Sequence, residues 1–197
     1  MENLTRCTDD QLVALYVSGL NEAFDTLLER HKDRLYSYIF FIVKNADVAD
    51  DLFQETFMKA IVTLQEGRYV ESGKFSAWLT RIAHNLIIDL FRTERNENTV
   101  SNEESGLELA ESNDMTDLST EMRMVNEQTL KDVRRLMDHL PAPQREVVFM
   151  RYYQNLSFKE ISETTGVSIN TALGRMRYAI LNMRRMASEH HLSLLLL

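Results

Sequence analysis

Apolar residues recur at helical spacing along most of the chain. Leu12, Leu15 and Tyr16 form a first short apolar face, and Thr8 with Gln11 three residues on has the capping-box pattern that opens a helix. Asn21 opens a longer helix, over Ala23 to Val43, in which Phe24, Leu27, Leu28, Leu35, Tyr38, Ile39 and Ile42 share one side. A third runs from near Ala46 to about Leu64 and buries Leu52, Phe53, Phe57, Ala60, Ile61 and Leu64. After a glycine-bearing loop, a fourth spans Ser76 to about Arg92 with Trp78, Leu79, Ile82, Leu86, Ile87 and Leu90 inward. The pattern then lapses and resumes with a helix from about Glu127 to Asp138. Leu140-Pro141-Ala142-Pro143 ends that helix, and Pro143 is placed as an early residue of the next.

The stretch SFKEISETTGVSINTALGRMRYAILNMRRM holds two helix starts in quick succession. Ser157 with Glu160 makes a second capping box, Gly166 supplies the left-handed residue of a tight turn, and Ser168 caps the following helix. With Ile161 and Val167 in the corner, Ser162 small enough for close approach, and Ala172, Met176, Ala179, Ile180 and Met183 inward, this is a helix-turn-helix. Its opposite face carries Asn170, Thr171, Gly174, Arg175, Arg177 and Tyr178, then Arg184 and Arg185. From Ser168 to Met186 there are four Arg and no acid, as suits a helix that enters a DNA major groove. A plain helical hairpin with a solvated arginine face is the alternative.

Composition supports an all-α chain. Among 197 residues, six Gly and two Pro are too few for the turns of a β-sandwich or barrel, and the lone Cys7 removes any disulfide framework or cysteine-rich zinc site. The N-terminus is too polar for a signal peptide and no apolar run reaches membrane-spanning length, so the expectation is a cytoplasmic protein without membrane insertion. The net charge of -8 argues, at face value, against nucleic acid. Its distribution reverses that inference. Residues 1–93 carry 10 basic and 14 acidic side chains, 94–121 carry 1 and 9, and 122–197 carry 11 and 7. The acidic middle stretch has no aromatic residue and reads as a flexible linker. The expected architecture is two small helical domains, 1–93 and 122–190, joined by that linker and followed by an apolar tail, 191–197.

Two blocks now carry a resemblance. The first comprises AFDTLLERHKDRLYSYI, DVADDLFQETFMKA and FSAWLTRIAHNLIIDLFR; the second is LPAPQREVVFMRYYQNLSFKEISETTGVSINTALGRMRYAI. Their order and spacing resemble the sigma factors of the extracytoplasmic-function group, the smallest bacterial promoter-specificity subunits. The resemblance implies that the first domain binds core RNA polymerase and melts the −10 element, while the second reads the −35 element as duplex. Asp50, Asp51, Gln54 and Glu55 fall on the polymerase-binding surface; without the resemblance, that acidic face reads equally as an ordinary solvated one. Lys74, Phe75, Ser76, Trp78, Arg81, Asn85, Asp89 and Arg92 fall on the −10 region, with Trp78 open to the alternative of core packing. In the second domain Ser168, Asn170, Thr171, Gly174, Arg175, Arg177 and Tyr178 are the expected −35 contacts. Many relatives carry Lys and Ser where this chain has Leu173 and Gly174, and Arg where it has His84.

The partners implied are core RNA polymerase, promoter DNA and a regulating anti-sigma factor, with no cofactor, metal or small-molecule substrate. An enzyme is the first rival, but the chain lacks a di-metal Glu-x-x-His pattern and a phosphate-binding glycine loop, and its five His are scattered. A ligand-sensing helix-turn-helix regulator and a protein-binding helical adaptor are the others. The tail HHLSLLLL is too short to cross a bilayer.

Overall fold

The computed structural model describes residues 4–70, 73–98 and 133–189. The chain divides into two compact units, Met1–Glu108 and Leu109–Leu197, and the described residues are helical with no strand.

In the first unit a 3₁₀ turn, Leu4–Arg6, precedes α1 (Asp9–Val17), α2 (Asn21–Val43), α3 (Ala46–Gln65) and α4 (Phe75–Asn98). The Thr8 capping box forms: Thr8 Oγ1 accepts from the Gln11 N–H at 3.3 Å, and Gln11 Oε1 accepts from the Thr8 N–H at 2.8 Å. Asn45 caps α3 by accepting the Val48 N–H at 3.2 Å. The long α2 packs against α1, α3 and α4, so the core forms along it. Leu12, Leu27, Tyr38, Ile39, Ala60, Leu64, Leu79, Ala83 and Ile87 meet there, each at most 1% exposed. Leu15, Tyr16, Leu28, Ile42, Phe53, Ile61, Ile82 and Leu90, all expected inward, sit at the margin and are partly exposed.

Helix α4 departs from expectation at its C-terminal end. It runs to Asn98 instead of stopping near Arg92, so residues 94–98, assigned to the linker, are helical. No Gly or Pro interrupts TERNEN, and an acidic composition alone does not stop a helix.

The second unit opens, within the described residues, on helical residues 133–138 (α5), followed by α6 (Ala142–Tyr152), α7 (Phe158–Thr165) and α8 (Ile169–Glu189). Pro141 is the N-cap of α6 and Pro143 lies in its first turn, where a missing N–H costs nothing. The expected helix residues 127–132, most of the acidic linker and the tail 191–197 lie outside the described residues. Helix α8 packs on both α6 and α7 through Ala172, Met176, Ala179, Met183 and Ala187. The Asn182 amide ties it to Gln144 of α6 at 2.9 Å.

Candidate nucleic-acid and polymerase interfaces

The α7–α8 corner is built from local chemistry. Ser157 Oγ accepts the Glu160 N–H, and Glu160 returns a carboxylate oxygen to the Ser157 N–H at 2.7 Å. Gly166 ends α7 at φ 68°, a left-handed conformation that costs a side-chain-bearing residue about 1–2 kcal/mol. Ser162, expected only to be small, also donates its hydroxyl to the Val167 carbonyl at 2.6 Å and so pins the turn. Ser168 Oγ then accepts the Thr171 N–H at 3.0 Å and pairs with the Thr171 hydroxyl at 2.8 Å.

This cap turns α8 so that its small and sulfur-bearing residues face inward. Ser168, Asn170, Thr171, Arg177 and Tyr178 are exposed, and Gly174 and Arg175 partly so. All seven expected −35 contacts therefore share the accessible side of one helix. The Ser168 and Thr171 hydroxyls already serve the cap, leaving Asn170, Arg175, Arg177 and Tyr178 as the side chains with most reach. A Cβ added to Gly174 meets nothing within 4 Å. No internal packing demands glycine there.

Lys74, just before α4, and Arg81, Asn85, Asp89 and Arg92 on it are exposed, and Ser76 and Trp78 are partly so. At about 100° per residue, all of these except Ser76 fall within an arc of roughly 80°. Phe75 requires a correction. Expected beside Lys74 and Ser76 as a contact, it is 1% exposed. Its ring packs against His31 at 5.2 Å, Tyr69 at 5.8 Å and Trp78 at 5.3 Å, so it supports the surface from beneath. Trp78 also meets Tyr69 edge-on at 4.8 Å while keeping part of its surface open. Packing and contact are both available to it. His84 is buried, its Nδ1 3.1 Å from the Tyr38 hydroxyl, and belongs to the interior.

The loop before α4 is held by residues that the sequence pattern did not single out. Asp10, in the first turn of α1, accepts the Tyr69 hydroxyl at 2.9 Å and the Gly73 N–H at 2.7 Å. Gly73 adopts φ 68°, so this backbone donor is presented by a conformation that favours glycine. Asp9 beside it reaches α2, binding Arg30 at 2.5 Å and His31 Nε2 at 2.8 Å. The His31 hydrogen bond is the main reason the Asp9 carboxyl lies below its ordinary value of 3.8, with charge attraction and the Arg30 bond adding to it and burial opposing. The sequence signal available was only that of two acids at a helix N-terminus.

On α3, Asp50, Asp51, Gln54 and Glu55 are all exposed, opposite the buried Ala49, Leu52, Thr56 and Ala60. Glu55 pairs with Lys59 at 3.0 Å. Burial and then the hydrogen bond to Asp50 raise the Tyr36 hydroxyl above its ordinary value. Asp51 and Gln54 form the centre of this acidic and amide-bearing face.

Comparison with known proteins gives these surfaces a family. Residues 27–97 match the sigma-70 region 2 family and residues 130–175 match sigma-70 region 4, together more than half of the chain and in that order. The ECF RNA polymerase sigma factor BldN of Streptomyces coelicolor is 32% identical over 157 residues, which are 79% of this chain and 57% of that protein. The ECF RNA polymerase sigma factor SigW of Bacillus subtilis is 29% identical over 161 residues, 80% of this chain and 85% of its own length. Among solved structures, the sigma factor RpoE, crystallised with the anti-sigma factor NepR from Bartonella quintana, shares the fold. Its TM-score is 0.63 at 21% identity, covering 84% of this chain and 96% of that one. The chain belongs to the sigma-70 family, in its extracytoplasmic-function group.

Proposed function

We infer that this protein binds core RNA polymerase and directs promoter-specific transcription initiation, an initiation factor rather than an enzyme, acting in the cytoplasm. The observation that carries the inference is the match of two sigma regions, in order, onto two separately packed helical units. In the proposed division, residues 1–93 hold the polymerase through Asp50, Asp51, Gln54 and Glu55. Lys74, Ser76, Trp78, Arg81, Asn85, Asp89 and Arg92 engage the melted −10 strand. An aromatic surface beside an amide and two arginines suits an unstacked base and its flanking phosphates. Residues 122–190 read the −35 duplex through α8.

RpoE was solved with an anti-sigma factor, and a protein inhibitor of the same kind belongs to the proposal for this chain. In vitro transcription with purified core polymerase tests the main reading. Addition of the protein converts inert core into start-site-specific initiation, and core polymerase in turn raises the protein's affinity for promoter DNA. Tight sequence-specific binding by the chain alone, with no effect on core, would instead favour a conventional helix-turn-helix regulator.

A further inference from the structure

At the N-terminal end of α8, Ile169 and Leu173 are each 44% exposed. Four residues apart, they lie side by side on the helix surface. Neither belongs to the buried stripe of Ala172, Met176 and Ala179, so the fold gains little from their apolar character. Leu173 stands three residues after Asn170 and four before Arg177, both exposed. Around this apolar pair the helix is cationic and free of acids from Ser168 to Met186.

That combination selects the partner chemistry. A cationic surrounding favours a polyanion, and the apolar group that duplex DNA displays in its major groove is the C5-methyl of thymine. The A·T pair that presents this methyl also presents the adenine N6 and N7 edge, which an Asn side chain reads bidentately. We propose that Leu173, flanked by Ile169, reads a thymine methyl within the −35 duplex, on the pair that Asn170 reads or on its neighbour. The proposal rests on α8 being the −35 recognition helix, and it adds an apolar reader to the polar ones expected there.

The test uses holoenzyme assembled from the full chain and core polymerase, on a promoter selected by that holoenzyme from a library randomised across the −35 element. Each −35 thymine is replaced in turn by deoxyuridine, which removes only the methyl. At one or two positions the wild-type holoenzyme loses about fourfold in affinity, the ratio expected for one buried methyl. Leu173→Ala holoenzyme no longer distinguishes thymine from uracil there, while Arg185→Ala holoenzyme still does. Leu173 is exposed, so an unchanged melting temperature verifies that the variant folds. Tolerance of uracil at every position by the wild type, or retained discrimination by Leu173→Ala, would overturn the proposal while leaving the sigma-factor reading intact. Failure of the wild-type chain to direct any specific start would overturn that reading, and this one with it.

Discussion

Gly174 is a residue whose replacement is expected to move stability and function in opposite directions. It lies inside α8, where glycine costs about 1 kcal/mol relative to alanine through backbone entropy. An added Cβ meets nothing within 4 Å and the backbone is ordinary helix, so Gly174→Ala recovers roughly 0.5–1 kcal/mol without strain. For a unit of this size that is a melting-temperature rise of about 2–8 °C, read by calorimetry. The new methyl projects into the accessible side of α8, between Asn170 and Tyr178, where the groove wall is proposed to lie. Filling a well-packed contact with one methyl costs about 1–3 kcal/mol, or roughly 5- to 150-fold in affinity. The measurement is competition binding by holoenzyme between a promoter with its −35 element and one with that element scrambled. Because the variant is more stable, lost binding cannot come from unfolding. A higher melting temperature with unchanged −35 preference would refute the idea that the bare backbone at Gly174 serves close approach to DNA.

Other expectations concern the first unit. Asp9→Ala removes the carboxylate that Arg30 and His31 share and destabilises the unit by about 1–3 kcal/mol, read as a lower urea midpoint. Because the folded Asp9 carboxyl is held below 3.8, its stabilisation is complete above that pH and is lost as pH falls through the lower folded value; the gap between wild type and variant therefore closes in acid. Asp10→Ala removes the carboxylate that accepts the Tyr69 hydroxyl and the Gly73 amide, and hydrogen exchange at Gly73 quickens about fivefold, with slower promoter opening but unchanged −35 binding. Phe75→Ala and Asn85→Ala separate support from contact. The first costs about 3–5 kcal/mol of stability, whereas the second leaves stability within about 0.5 kcal/mol and slows promoter opening in a single-round transcription assay.

What was legible in the sequence follows from how far apart the determinants lie. The capping boxes at Thr8 and Ser157, the left-handed Gly166 and the early-helix Pro143 depend on neighbours within a few residues, so local rules found them. Phe75 was placed among the contacts by resemblance alone; its burial comes from His31 of α2 and Tyr69 of the loop, which no local pattern around Phe75 reports. Asp9 and Asp10 carry no local signal beyond that of acids in a first helical turn. Their partners lie 21 to 63 residues away, and only the folded chain shows that one turn of α1 fastens both α2 and the loop leading into the proposed −10 surface. Leu173 was left out of the expected contacts for a related reason. Spacing does not report how far a side chain is covered, and its 44% exposure places it on the accessible surface of α8.

The charge distribution bears on why two such surfaces belong on one chain. Four arginines on α8 supply at most about four phosphate contacts, hence a log-log salt slope near −4 and about a hundredfold loss of affinity between 50 and 200 mM salt. A recognition helix of that strength holds a promoter weakly by itself. The 28 residues from 94 to 121 carry a net −8, equal to the charge of the whole chain, and oppose even that attraction at low salt. Tight binding then requires a third body that engages α3, screens the acidic segment and presents the −10 and −35 surfaces together, so that the second contact forms at high effective concentration. Core polymerase is the partner proposed for that role. Promoter occupancy is then expected to be conditional on the polymerase, so that the free protein would not occlude the sites it is proposed to open.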